Sequence, residues 1–94
     1  PEEERISTRD LVAESAIMGF RLRDGIPVDV FERRFGVPVG FFYGKTLDAW
    51  RDRGLAVLER PALNPAGLLL LDRFLVECLS ELGSTYPRYE ERRR

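Results

Sequence analysis

Apolar residues recur along the chain at the three-to-four-residue spacing of amphipathic helices, and Gly or Pro separates each repeat from the next. The first repeat, "RDLVAESAIMGFRLRDG", follows Ser7 and Thr8 and predicts a helix that begins at a Ser or Thr cap and ends at Gly25. Two faces of this helix are mostly apolar: Leu11, Ser15, Met18 and Leu22, and Ala13, Ile17 and Phe20. Such a helix requires packing neighbours on two sides.

Two further helices are predicted, and each of them ends at a glycine. The second begins at Pro27 and ends at Gly36, where glycine permits the left-handed backbone of a C-terminal cap. The third follows Pro38 and ends at Gly54. The residues expected to face the core are Val28, Phe31 and Phe35 in the second helix, and Val39, Tyr43, Leu47 and Trp50 in the third.

The second half of the chain predicts a small hairpin and a long helix. "LAVLERPALN" has the residues of two short strands with a turn near Arg60 and Pro61. Asn64 is placed as an N-cap, and Pro65 starts a helix that ends at Gly83. This order predicts a mainly α, winged-helix-like domain over residues 8–82. Residues 1–7 are interpreted as a connector, and residues 83–94 as a flexible charged tail.

Composition argues against chemistry carried by this chain alone. Histidine is absent, which removes the commonest general base and zinc ligand. The one cysteine, Cys78, excludes an intrachain disulfide, and its position on the apolar stripe of the last helix predicts a buried, unreactive thiol. No catalytic, cofactor-binding or metal-binding residue is therefore predicted, and a free-standing small enzyme is not expected.

The charge pattern does not favour nucleic acid as a partner. Fifteen Lys and Arg against sixteen Asp and Glu give a formal charge of -1, without the excess that phosphate binding requires. The outward face of the third helix would present Phe41, Lys45, Asp48 and Asp52 to DNA. The two carboxylates would repel the phosphates, and their spacing is more typical of a solvated face than of a cation site. A DNA- or protein-binding winged helix of a regulator is the alternative hypothesis.

The chain carries more apolar surface than its own helices are expected to cover. Leu70 falls among polar positions of the last helix, and Phe41 lies on the outward face of the third. We predict that both residues contact another domain. The chain begins at Pro1 without an initiator methionine, which we interpret as a fragment of a longer protein. Its longest apolar run, residues 68–71, is too short to span a bilayer, so a cytoplasmic protein is expected.

Four segments together resemble a known family. They are "GFRLRDGI" (19–26), "FERRFGV" (31–37), "LDAWRDRGL" (47–55) and "LNPAGLLLLDRFL" (63–75). In this order and spacing they are similar to the C-terminal domain of oxygen-independent coproporphyrinogen III oxidase and its relatives, the HemN-type radical S-adenosylmethionine proteins. The resemblance covers residues 8–82. The short wing departs from the family pattern, as does Asn64, where the family more often has threonine.

The resemblance implies a parent protein whose N-terminal radical S-adenosylmethionine barrel holds a 4Fe-4S cluster on a Cys-x-x-x-Cys-x-x-Cys loop. That loop is not in this sequence, so no cluster or catalytic residue is transferred to it. The family's C-terminal domain packs against the barrel and helps to cover the active site. The parent is then either an oxidoreductase acting on a porphyrin precursor or a haem chaperone, and "GFRLRDGI" looks more like the chaperone branch. The expected partners are the barrel and, through the parent, porphyrin or haem.

Overall fold

The computed structural model describes residues 7–93 of the chain. Five helices contain most of them: α1 (Thr8–Gly19), α2 (Val28–Phe35), α3 (Val39–Asp52), α4 (Pro65–Leu68) and α5 (Leu71–Arg93). Ala56 and Leu63 form an antiparallel bridge, and the described residues contain no longer strand. The prediction of a mainly α domain is confirmed. The winged-helix arrangement stays a prediction, because its hairpin is reduced to one residue pair.

Arg51 of α3 accounts for the short hairpin. Its guanidinium donates to the carbonyl oxygens of Val57, at 2.7 Å, and Arg60, at 3.1 Å, so these acceptors face α3 instead of a partner strand. Pro61 has no backbone N–H to contribute to a ladder. The Val57 N–H still donates across the hairpin to the Ala62 carbonyl, at 2.8 Å. The result is a bent loop held to α3 instead of a regular two-stranded wing.

The first helix ends at Gly19, six residues before the predicted stop at Gly25. The Ile26 N–H donates to the Pro61 carbonyl oxygen at 3.1 Å, which ties the segment after α1 to the hairpin loop. Gly25 has a φ of 76°, and a Cβ at this position would overlap the same carbonyl oxygen. The chain leaves the helix early because it must bring this glycine against the loop, where a larger residue does not fit.

The buried side of α1 differs from both predicted faces. Its buried residues are Val12, Ala16 and Gly19. Met18 and Leu22, predicted to face the core, are 55% and 57% exposed. Gly19 lets the end of the helix approach closely, since a Cβ there would meet the Ile26 side chain at 2.6 Å. That apolar side is therefore left uncovered by the described residues at Met18 and Leu22, whereas Leu11 on the same side packs against the core.

The predictions for the second and third helices are largely confirmed. All the predicted core residues except Val28 are buried: Phe31, Phe35, Val39, Tyr43, Leu47 and Trp50. Gly36 and Gly54 follow the two helices with φ angles of 78° and 75°. Val28 is the exception, at 40% exposed, because it lies in the first turn of α2, where the helix has not yet reached the core.

The last predicted helix begins as expected but is interrupted. Asn64 caps it, its side-chain oxygen accepting from the Gly67 N–H at 2.9 Å, and Pro65 occupies the first turn. A turn at Leu69 and Leu70 then separates the four-residue α4 from α5. The Phe74 N–H donates to the Leu70 carbonyl at 3.0 Å, so the second helix starts from this turn.

The prediction of a flexible tail is wrong for residues 83–93, which continue α5 to Arg93. Tyr86 and Tyr89 follow Leu82 at helical spacing and are buried. The Tyr89 hydroxyl donates to the Phe35 carbonyl at 2.6 Å. These contacts stabilise the helix by more than Gly83 and Pro87 destabilise it. Gly83 favours a helix end, and Pro87 lacks the N–H of a helical hydrogen bond. Most of the predicted connector lies outside the described residues; Ser7 accepts from the Asp10 N–H and caps α1.

The core lies where α5 packs along α3. The first helix, α1, also packs against α5. Phe20 and Trp50 both pack edge-on against Phe74, with ring centroids 4.8 and 4.9 Å from it. The Tyr43 hydroxyl donates to the Val12 carbonyl at 2.7 Å and joins α3 to α1. Because α5 contributes to the core along most of its length, it belongs to the folded unit.

We predict that a chain ending at residue 82 is destabilised by several kcal/mol, because it loses Tyr86 and Tyr89 and uncovers Phe42. A chain ending at Glu90 keeps both tyrosines and serves as the control, with nearly unchanged stability. Thermal unfolding followed by circular dichroism measures the difference. Equal melting temperatures for the two truncations would contradict the packing role of residues 83–90.

Candidate interaction surfaces

Within residues 7–93 there is no group of three His, Cys, Asp or Glu residues placed to hold a metal ion. Cys78 is fully buried, as predicted. Burial raises the pKa of its thiol, and the nearby carboxylates of Glu81 and Glu77 raise it further. The thiol therefore stays protonated and is a poor nucleophile.

Glu81 joins α5 to the middle of α3 through backbone hydrogen bonds. Its carboxylate oxygens accept from the N–H groups of Lys45, at 2.9 Å, and Thr46, at 2.8 Å. A carboxylate with two backbone donors is an arrangement more usual at a helix N-terminus than inside a helix. Glu77, one turn earlier, accepts from the Trp50 indole N–H at 2.7 Å. The two carboxylates fix the position of α5 along α3.

The junction of α4 and α5 exposes two neighbouring leucines, Leu69 and Leu70, which we call the leucine surface; Val76 and Leu79 are exposed further along α5. Leu69 is 87% and Val76 68% exposed, whereas Leu70 is 38% exposed. Within residues 7–93 no helix is long and apolar enough to cross a bilayer. The predicted contact residue Leu70 is thus exposed, but Leu69 beside it is the more prominent of the two.

A second apolar surface lies between the end of α1 and α2. It is a groove of about 220 Å³ whose apolar lining includes Met18, Leu22, Ile26, Pro27 and Val30. Arg34 and Ser15 also line it and supply its polar groups. The sequence carried a signal for this groove, since Met18 and Leu22 share an apolar helix face that needed a neighbour. Nothing among the described residues fills that place.

Phe41 lies in a different environment from Leu70. Its half-buried ring packs edge-on against Phe42, with the centroids 5.3 Å apart. The guanidinium carbons of Arg88 and Arg92 lie 5.9 and 5.3 Å from the ring centroid. Arg88 follows Leu70 by 18 residues, roughly 27 Å along a helix at 1.5 Å per residue. The two predicted contact residues therefore belong to separate surfaces.

The exposed side of α3 keeps the character predicted for it. Lys45, Asp48 and Asp52 are exposed, and Asp48 pairs with Arg51 at 3.4 Å. Carboxylates on this side oppose the phosphates of a DNA backbone. The opposite side of the helix is packed against α5.

Residues 6–70, about two thirds of the chain, match the family model of the HemN C-terminal domain. The chain belongs to the HemN C-terminal domain family, in agreement with the resemblance of its four segments. No curated protein and no solved structure gives a match to the chain. The family match ends at Leu70, directly before α5, although Phe74, Cys78 and Leu82 of that helix lie in the core.

We predict that Glu81→Ala lowers the free energy of unfolding by about 2 kcal/mol, because two backbone N–H groups lose their charged acceptor. Glu59→Ala, at an exposed position of the hairpin loop, is the matched control and should change stability by less than about 0.5 kcal/mol. Urea unfolding at pH 7 measures both variants. Equal effects of the two substitutions would contradict the role given to Glu81.

We also predict that stability falls above pH 9. Burial raises the pKa of Tyr43 from its ordinary value of 10.0 and that of Cys78 from 9.0. The folded state keeps both protons at a pH where the unfolded chain loses them, so unfolding becomes easier as pH rises. Each group contributes a slope of up to about 1.4 kcal/mol per pH unit.

The measurement is urea unfolding at intervals between pH 7 and pH 10.5. Cys78→Ala should show a shallower fall between pH 9 and pH 10 than the unchanged chain, whatever its stability at pH 7. A free energy of unfolding that stays constant to pH 10.5 would disprove the prediction.

Proposed function

We propose that this domain is the C-terminal covering domain of a coproporphyrinogen III oxidase-like radical S-adenosylmethionine protein and performs no chemistry itself. The proposal is supported by membership of the HemN C-terminal domain family. The observation that carries it is the leucine surface, where Leu69 is 87% and Leu70 38% exposed at the junction of α4 and α5. Large exposed apolar side chains grouped on one surface are typical of an interface with another domain.

The partner in this proposal is the N-terminal barrel of the same parent protein. The α4–α5 junction is held by the Asn64 cap on one side and by the Glu77 and Glu81 contacts on the other. The leucine surface is therefore presented in a fixed shape, which lowers the entropic cost of docking. Docked in this way, the domain would exclude water from the barrel's active site.

The chemistry of the parent is assigned to the part that precedes this domain. A 4Fe-4S cluster needs several cysteine thiolates, and this chain has the one buried thiol of Cys78. The cluster therefore does not fit the residues described here, and the barrel would hold it together with S-adenosylmethionine. The substrate class that we propose is a porphyrin precursor or haem, handled in the cytoplasm by an oxidoreductase or a haem chaperone of the family.

A winged-helix regulator is the competing proposal, and it has less support. A DNA-reading α3 would present Asp48 and Asp52 to the phosphates, and the hairpin that would form the wing is held to α3 by Arg51. Both features reduce the attraction to a nucleic acid backbone.

The test is a calorimetric titration of this chain with the separately expressed N-terminal part of its parent protein. We expect binding that Leu69→Asp and Leu70→Asp each weaken about tenfold or more, because a charge would be buried at the interface. Leu58→Asp is the matched control, a leucine that is 73% exposed on the hairpin loop, and it should have less than about a twofold effect. Absence of binding, or an equal loss in the Leu58 variant, would refute the docking surface.

A further inference from the structure

The groove between the end of α1 and α2 has an apolar end and a polar end. The apolar end lies at the turn that joins the two helices, where Ile26 approaches Gly19 closely and Pro27 begins α2. Arg34 follows Pro27 by seven residues, roughly 10 Å along a helix at 1.5 Å per residue. Ser15 lies one helical turn before Gly19. Both polar lining residues are therefore away from the turn.

Arg34 supplies the charge of the polar end. No acidic residue is among the described residues that line the groove. The guanidinium carbon of Arg34 lies 5.1 Å from the ring centroid of the buried Phe35, and the ion pairs found between described residues do not include it. The Ser15 hydroxyl donates to the Leu11 carbonyl at 3.0 Å, so the N–H donors of this end belong to Arg34. A guanidinium donates two parallel hydrogen bonds to a carboxylate.

The remainder of the groove is apolar and open to solvent. Val30 is 41% exposed, and Met18 and Leu22 are more exposed still. An apolar chain laid over these side chains would remove them from water, which is favourable. The groove volume of about 220 Å³ lies below the roughly 300 to 1,000 Å³ of sites for drug-sized ligands. It suits a narrow chain better than a ring system.

We propose that this groove binds a medium-chain carboxylic acid, with the acyl chain along Met18, Leu22 and Val30 and the carboxylate at Arg34. An extended acyl chain with bonds near 1.5 Å gains about 1.25 Å per carbon, so about eight carbons span about 10 Å. That length equals the separation of Pro27 and Arg34 along α2. One charge at one end of an apolar chain matches one cation at one end of an apolar groove.

This site goes beyond the proposed covering function and uses other residues. Leu69→Asp, which should weaken docking to the N-terminal part of the parent protein, should leave binding of the acid unchanged. Failure of the one proposal is therefore distinguishable from failure of the other.

The test is a titration of the 94-residue chain with octanoate, followed by NMR. Met18 is the one methionine of the chain, so its methyl signal reports on the groove directly. We expect a saturable shift of this signal with a Kd below about 1 mM. Butyrate is too short to span the groove, and octylammonium has the wrong charge, so each should bind about tenfold more weakly or worse.

A pair of arginine variants tests the polar end. Arg34→Gln should weaken octanoate about tenfold and change octanol binding less than about twofold, because the acid alone uses the guanidinium charge. Arg33→Gln is the matched control: it removes the same charge from the neighbouring exposed position, which does not line the groove. It should change the Kd for octanoate less than about twofold.

A pair of valine variants tests the apolar part. Val28 and Val30 are 40% and 41% exposed on the same helix, and of the two Val30 lines the groove. Val30→Gln should weaken octanoate and octanol alike, several-fold, whereas Val28→Gln should affect neither.

Four outcomes would overturn the proposal. The first two are no saturable shift of the Met18 methyl signal at several millimolar octanoate, and equal effects of the two variants in either pair. The third is tighter binding of phosphatidylglycerol vesicles than of free octanoate, which would identify a membrane surface as the ligand. The fourth is loss of octanoate binding when the N-terminal part of the parent protein is added, with the Met18 signal shifted by that part alone. That result would identify the barrel as the occupant.

Discussion

The carboxylate of Glu81 accepts from two backbone N–H groups in the middle of α3, and the arrangement of the whole domain depends on this contact. Glu77 and Thr85 lie one turn before and after it. Glu77 accepts from the Trp50 indole, and the Thr85 hydroxyl lies 3.0 Å from the Glu81 carbonyl oxygen of its own helix and 3.3 Å from the Phe42 carbonyl oxygen of α3. Polar anchors thus recur every four residues along the side of α5 that faces α3. These contacts fix the position of α5 relative to α3 over residues 77–85.

Local sequence signals predicted the features that depend on a few neighbouring residues. Asn64 and Pro65 marked the start of a helix, and Gly36 and Gly54 marked the ends of α2 and α3. A helix cap depends on the residue type at one or two positions, so the sequence shows it directly. The core side of α3 also followed from spacing alone, since Tyr43, Leu47 and Trp50 recur at helical spacing and are buried. The family assignment rests on this part of the chain, residues 6–70.

Features that depend on contacts distant in sequence were not predictable in the same way. The end of α1 depends on the close approach of Gly25 to the Pro61 carbonyl. The helical structure of residues 83–93 depends on the hydrogen bond from the Tyr89 hydroxyl to the Phe35 carbonyl. The leucine surface was likewise predictable only in part. An apolar surplus was evident on the last helix, but the turn that leaves Leu69 more exposed than Leu70 arises from the break between α4 and α5.

The central claim is that α5 is an integral part of the domain to its C-terminal end. Amide hydrogen exchange of the 94-residue chain, followed by NMR, tests this most directly. The account predicts that amides of Thr85 and Tyr89 are protected to nearly the same extent as those of Lys45 and Thr46, because all open only on global unfolding. Fast exchange from residue 83 onward, with residues 74–82 still protected, would show a frayed tail and contradict the account.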